Sequence, residues 1–151
     1  MGDLSDLEKR IQVLEDVEAI KKLKARYWHS VDSQRWDDLA ECYTGDAVFE
    51  SPHLGRMEGR DFIVKVLKRA MRNVKTAHQG HSPEIEILSN VSARGRWALN
   101  DRVEIEGRPL FQGYGHYEDE YSKENGVWRI KNSRLTYIFQ EGSSRTSEKS
   151  G

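Results

Sequence analysis

The stretch Ala93-Arg94-Gly95-Arg96-Trp97-Ala98-Leu99-Asn100-Asp101-Arg102-Val103 puts Ala93, Gly95, Trp97, Leu99, Asp101 and Val103 on one face. Arg94, Arg96, Ala98, Asn100 and Arg102 fall on the other. That period of two predicts a β-strand. The same period begins at Thr76, is clean at Glu84-Ile85-Glu86-Ile87, and returns at Leu110 to Tyr121 and Val127 to Gln140. Turn residues separate the runs at Ser89-Asn90, Glu106-Gly107-Arg108-Pro109 and Lys123-Glu124-Asn125-Gly126. The second half therefore reads as a four-stranded antiparallel meander.

Upstream the period is helical. Leu4, Leu7, Ile11, Leu14, Val17, Ile20, Leu23 and Tyr27 recur every three or four residues, predicting one long amphipathic helix that ends near Val31, with Ser33-Gln34-Arg35 as its stop. Residues 1–14 carry a narrow apolar stripe between Glu8, Lys9, Arg10 and Glu15; they can either project onto a neighbouring subunit or lie on their own domain. Trp36, Leu39, Ala40 and Tyr43 predict a short second helix, started by Ser33 and closed by Thr44-Gly45-Asp46. Ala47 to Glu50 reads as a strand and Ser51 to Gly59 as a loop. Phe62, Ile63, Val66, Leu67, Ala70 and Met71 form the apolar face of a third helix introduced by Gly59. Three helices, one extra strand and a meander make an α+β plan in a single domain over 1–141, with 142–151 read as a disordered tail.

Composition narrows the function classes. With 24 basic and 25 acidic residues among 151 the net charge is −1, and no basic block suggests nucleic acid or a membrane surface. The partner expected is a small molecule or another copy of the chain. Cys42 is the single cysteine, so no intramolecular disulfide framework or cysteine-based metal site can form, which fits a cytoplasmic setting. Neither a signal peptide nor a membrane-length apolar run is read in the sequence.

Four residues could carry chemistry. Tyr27 brings a hydroxyl to a core position, and Asp32 follows five residues later, so both reach one cavity only if the helix stops there. A core tyrosine and a solvated capping aspartate are the plainer reading of that pair alone. Asp101 shares a face with Trp97 and Leu99, where a carboxylate must be paired, hydrogen-bonded or protonated, unless the strand has already ended. His78 and His81 flank Gly80 at a strand entry; one pointing inward could move a proton near neutral pH. His-x-x-His lacks a third ligand of obvious spacing, so no metal site is expected. Phosphate loop, nucleophile elbow and dinucleotide fingerprint are all missing from the sequence.

The segments DVEAIKKLKARYWHSVDSQRWDD (16–38), HQGHSPEIEI (78–87), GRWALND (95–101) and YEDEYSKENGVW (117–128) resemble a SnoaL-like member of the nuclear-transport-factor-2-like superfamily, most closely the bile-acid 7α-dehydratases. The resemblance implies a cone-shaped α+β barrel, three helices packed on a curved, mostly antiparallel sheet around a deep pocket. It places the working groups of those dehydratases on Tyr27, Asp32, His78 and Asp101. The Asp/His pair is also similar to the base of scytalone dehydratase and of related dehydrohalogenases. Where the bile-acid enzymes carry an arginine on the last strand this chain has Tyr137, and the loop 51–59 also departs.

The expectation is a cofactor-independent dehydratase, a lyase eliminating water from a hydroxylated carbonyl compound with a His/Asp base and tyrosine assistance. Phe49, Met57, His81, Trp97 and Tyr137 would contact the substrate, whose apolar walls suggest a steroid, polyketide or aromatic. The rival is a non-catalytic binding or scaffold protein of the same fold, or a related isomerase or dehydrohalogenase. Leu135, Tyr137 and Phe139 alternate with Thr136 and Ile138, leaving both faces of the last strand apolar, so a homodimer or homotrimer formed through the sheet is expected.

Overall fold

A computed structural model describes residues 3–142; the residues expected to form the tail beyond Gly142 lie outside it. The order is α1 (Leu4–Asp32), α2 (Trp36–Glu41), β1 (Tyr43–Ser51), β2 (Gly55–Glu58), α3 (Arg60–Ala70), β3 (Val74–Ile87), β4 (Ser92–Ile105), β5 (Arg108–Glu124) and β6 (Val127–Glu141). One six-stranded sheet runs β2-β1-β6-β5-β4-β3, antiparallel except where β1 lies parallel to β6. The three helices pack against it in a cone-like α+β fold. Among the described residues no helix is long and apolar enough to cross a membrane.

The meander appears as expected, with longer strands. Its tight turns place Glu106-Gly107 and Asn125-Gly126 at positive φ, the geometry that two-residue hairpin loops require. Four details differ from the sequence reading. The segment 51–59 is not all loop: Gly55–Glu58 pairs with β1, so two strands rather than one lie between α2 and α3. Helix α2 begins after Arg35, without a side-chain cap, and stops at Glu41. Thr44-Gly45-Asp46 therefore belongs to β1, where it spans the irregularity between the two stretches, Tyr43 and Val48 to Glu50, that pair with β6. His78 is not at a strand entry but well inside β3.

Helix α1 is capped by Asp3, whose carboxylate accepts from the Ser5 amide. Leu4, Leu7, Ile11 and Leu14 stay exposed, and the buried face comprises Asp16, Ile20, Leu23, Lys24, Tyr27, Trp28, Ser30 and Val31. Two of these are charged. Asp16 accepts from Trp128 Nε1 at 2.9 Å and Lys123 Nζ at 3.0 Å. Lys24 Nζ lies 2.8 Å from Asp119 Oδ2 with both side chains fully buried, a contact of charge rather than an aligned hydrogen bond. The ammonium also stands 4.1, 4.6 and 4.7 Å from the ring centroids of Tyr117, Trp28 and Tyr27. Burial pulls the Lys24 pKa down, and Asp119 opposes the shift. Asp119 also accepts from Ser133 Oγ at 2.6 Å and Tyr121 Oη at 2.8 Å.

Trp28 lies so close to β3 that a Cβ at Gly80 would fall 1.9 Å from its ring. Gly80→Ala should cost about 1–3 kcal/mol through the forced shift of a buried indole, read as a lower thermal midpoint. A second outcome follows from the buried phenols. Burial is the main cause that pushes Tyr27 from 10.0 up to about 12, and it holds Tyr43, Tyr117 and Tyr121 well above the ordinary value. A folded-state pKa above the unfolded one gives stability that is complete below the unfolded value and lost as pH rises through the folded one. Lys24 acts with the opposite sign, but only below its ordinary value of 10.5. The urea midpoint should therefore fall steadily between pH 10.5 and about 12; a flat midpoint there would refute the burial of these phenols.

Candidate functional site

Asp32 is the last residue of α1. The chain turns immediately afterwards, with Gln34 at φ 55° and its amide donating to the carbonyls of Met71 and Val74, which ties the helix end to the start of β3. That turn aims the Asp32 carboxylate at an edge strand. Oδ1 accepts from Thr76 Oγ1 at 2.8 Å and lies 2.6 Å from His78 Nδ1, while Oδ2 accepts from the His78 backbone N–H at 2.9 Å. Because β3 has a neighbour on one side only, the outward N–H of His78 would otherwise be unpaired. One carboxylate thus fills a vacant edge donor and orients the ring on the same residue.

Strand β4 brings the second carboxylate. His78 and Asp101 are direct register partners, and with the His78 N–H turned outward they form a non-hydrogen-bonded pair, in which facing side chains approach most closely. Strand β4 runs on to Ile105, so Asp101 is not at a frayed end: it is 2% exposed, on the face shared with Trp97 and Leu99. Its Oδ2 accepts from Tyr137 Oη at 2.5 Å, while Oδ1 has no protein partner. Room for this pair comes from Gly113, the register partner of Asp101 on β5, where a Cβ would come within 2.5 Å of Oδ1 and 2.4 Å of the Tyr137 ring. Burial, then the hydrogen bond to Asp101, holds the Tyr137 phenol far above its usual range.

The structure thus brings together Asp32, His78, Asp101 and Tyr137. Asp32 and His78 open on a groove of about 530 Å³, whose walls include Lys21, Trp28, Gly80 and Trp97. Asp101 and Tyr137 do not line it, and neither does Tyr27. Its ring is buried edge-on between Tyr43 and Tyr117, at centroid distances of 5.8 and 6.1 Å, five residues before Asp32. Phe49 stacks on Tyr117, and both it and Met57 are core residues. His81 stands apart: a bulge follows it in β3, and its exposed ring reaches the Ala98 carbonyl at 3.2 Å. The two histidines therefore do not converge, and among the described residues no three His, Cys, Asp or Glu side chains form a metal-holding group.

Sequence reasoning passed over Thr76 and Trp28, although signals for both exist. Thr76 lies two residues before His78 and shares its face; Trp28 lies one helical turn before Asp32. Lys24 continues the same spacing as the one cation on the buried face of α1. Trp28 Nε1 and Tyr43 Oη are buried without a well-formed hydrogen bond.

Known structures share this architecture. A provisionally assigned scytalone dehydratase from Novosphingobium aromaticivorans superposes with a TM-score of 0.82 at 23% identity, covering 89% of this chain and 92% of that one. A type 2 hexachlorocyclohexane dehydrochlorinase, LinA, gives 0.81 at 19% identity, over 90% and 94% of the two chains. A Mycobacterium tuberculosis protein of unknown function gives 0.73 at 27% identity, over 82% and 77%. At these identities the first two show the shared fold and no more. The family assignment comes from residues 12–134, which match the SnoaL-like domain and span the helix end, the edge strand and the carboxylate strand just described. The chain belongs to the SnoaL-like family of the nuclear-transport-factor-2-like fold.

Proposed function

We propose that the protein is a lyase that removes water from a hydroxylated carbonyl compound, with His78 as general base. The observation that carries this reading is the 2.6 Å contact between His78 Nδ1 and Asp32, with Asp101 in the adjacent register position. Asp32 already accepts from Thr76 and the His78 amide, so it is held in place. It keeps the proton on Nδ1, which leaves Nε2 as the free lone pair, and it stabilises the imidazolium formed when Nε2 takes an acidic C–H proton. The proton and the departing hydroxyl leave together as water. The imidazolium returns its proton to the hydroxyl oxygen as the C–O bond breaks, and Asp101 orients that hydroxyl by accepting its hydrogen bond through the free Oδ1, while Tyr137 holds the other carboxylate oxygen.

Tyr27 is assigned as hydrogen-bond donor to the substrate oxygen, a role that suits a phenol kept neutral by burial. Tyr27 does not line the groove, so this role requires the substrate to part its ring from Tyr43 and Tyr117. The groove volume fits a small molecule, and the Trp28 and Trp97 walls favour a rigid, mostly apolar steroid, polyketide or aromatic body. With Tyr137 at the position of the bile-acid enzymes' arginine, a bile acid is not part of this reading. Side chains supply the base and the donors, so the reaction proposed needs neither metal nor organic cofactor. The dehydratase and dehydrochlorinase names among the structural neighbours support elimination chemistry on this fold. A halide needs no proton to depart, so the same dyad could serve dehydrohalogenation, and a chlorinated analogue belongs in the assay.

His78→Ala should lower turnover by about 10² to 10⁴. Adding Asp32→Asn should then cost little more, because the carboxylate acts through the imidazole. The measurement is water elimination from β-hydroxy and vinylogous hydroxy carbonyl compounds, with the fold checked by circular dichroism and a chelator control expected to change nothing. Turnover within a few-fold of the parent after His78→Ala would remove the mechanism; ligand binding without any turnover would favour the binding-protein reading.

A further inference from the structure

The groove onto which Asp32 and His78 open runs along one stripe of α1. Lys21, Ala25, Trp28, His29 and Asp32 line it from the helix, recurring every three or four residues, and the β3 edge and Trp97 face them. The Asp32 and His78 side chains are partly exposed at one end. Lys21 stands at the other, eleven residues earlier in α1, which is about 16 Å of helix. Between the two ends lie the Trp28 and Trp97 rings, packed edge to face with centroids 5.3 Å apart, together with Ala25, Gly80 and Pro83. The groove is therefore apolar in the middle and charged at its ends.

Those two charges differ in what they have left to offer. Asp32 is the only carboxylate that lines the groove, and it is already engaged by Thr76 and by the backbone and ring of His78. Lys21 is the only lysine or arginine that lines it. Among the described residues its one carboxylate contact is Glu18, 3.0 Å away and three residues earlier on the same helix. Both side chains of that pair are exposed, at 44% and 61%, and such a pair in water holds its ammonium weakly. Screening over about 8–10 Å at ordinary salt makes the two ends separate poles.

We propose that the substrate of this site carries a carboxylate at the end remote from its reacting carbonyl, and that Lys21 receives it. The inference rests on the elimination reading for the position of the reacting carbon, at His78. A single ammonium beside Glu18 matches a singly charged carboxylate; a phosphate dianion would keep one charge uncompensated there. The polarity of the groove also sets the direction of binding. Asp32 repels an anion from the dyad end, so the acid is turned toward Lys21 and the carbonyl toward His78, with the apolar body along Trp28 and Trp97.

The test measures binding, so it does not depend on turnover. The probes are 3-(4′-acetylbiphenyl-4-yl)propanoic acid and its methyl ester, which share a carbonyl at one end and differ in charge at the other. Affinity is read by NMR from the His78, Trp28 and Trp97 ring signals in low salt, with circular dichroism confirming the fold of each variant. The acid should bind about fivefold more tightly than the ester, and the advantage should collapse at about 1 M salt, where screening acts over about 3 Å. Lys21→Met should erase it and Lys21→Arg should keep it. Glu18→Gln should enlarge it, because the competing carboxylate is gone. An acid that binds no better than its ester, or a preference that survives Lys21→Met, overturns the proposal. Equal affinities alongside turnover of a neutral hydroxy carbonyl compound would strike this inference and leave the elimination reading standing. A Lys21-dependent acid preference without turnover of any hydroxylated acid would uphold the carboxylate site and count against the elimination.

Discussion

Three charged side chains on the sheet-facing side of α1 fix where everything else can sit. Asp16 is held by Trp128 and Lys123, Lys24 by Asp119, and Asp32 by Thr76 and His78. They recur every eight residues and meet β5 and β6, then β5, then β3, so the helix is pinned along a diagonal across the sheet. Buried ion pairs add little stability compared with a well-packed apolar alternative, because desolvation offsets most of the attraction. Their effect here is on position. Sliding α1 by one turn, about 5.4 Å, would strand all three charges at once, whereas an apolar face could find new neighbours.

The last of those pins is also the chemical one. An edge strand is normally a liability, and many proteins cover it; here the cover is a carboxylate that has a second use. Since Asp32 takes both the backbone N–H and the imidazole of His78, the ring cannot rotate away without loosening the helix from the sheet. Rigidity of the base is thus inherited from the packing of the fold. Across β4 and β5 the same economy recurs in negative form: Gly113 contributes no side chain, and that empty volume lets Asp101 and the Tyr137 phenol meet.

Much of this was legible in the residues, for reasons that can be named. The period-two runs and their Asn-Gly and Glu-Gly turns gave the meander, because local geometry dictates both. Asp101 stood out since its face was otherwise apolar. The segment 51–59 misled because Gly55–Glu58 is too short to show a period, and it becomes a strand only through pairing with β1. His81 looked equivalent to His78 at a supposed strand entry, but both lie in unbroken register inside β3, where a spacing of three puts them on opposite faces. Lys24 was hidden in the helical pattern: its partner Asp119 lies far along the chain, and no local rule links the two. Tyr27 was rightly placed inward, yet periodicity could not tell a cavity wall from the tyrosine cluster that surrounds it.

The parallel pairing of β1 with β6 has a consequence for how the chain assembles. Strands β3 to β6 follow one another as hairpins, and such local pairing closes quickly; β1 must wait for a strand separated from it by most of the domain. On a ribosome, α1 and the β1–β2 hairpin emerge long before β6 can receive them. During that interval the inner faces of Phe49 and Met57, core residues of the finished domain, are open to water and to other chains. Loss of pairing at this seam would therefore be expected to show first as poor yield during synthesis, under conditions where the completed protein remains sound.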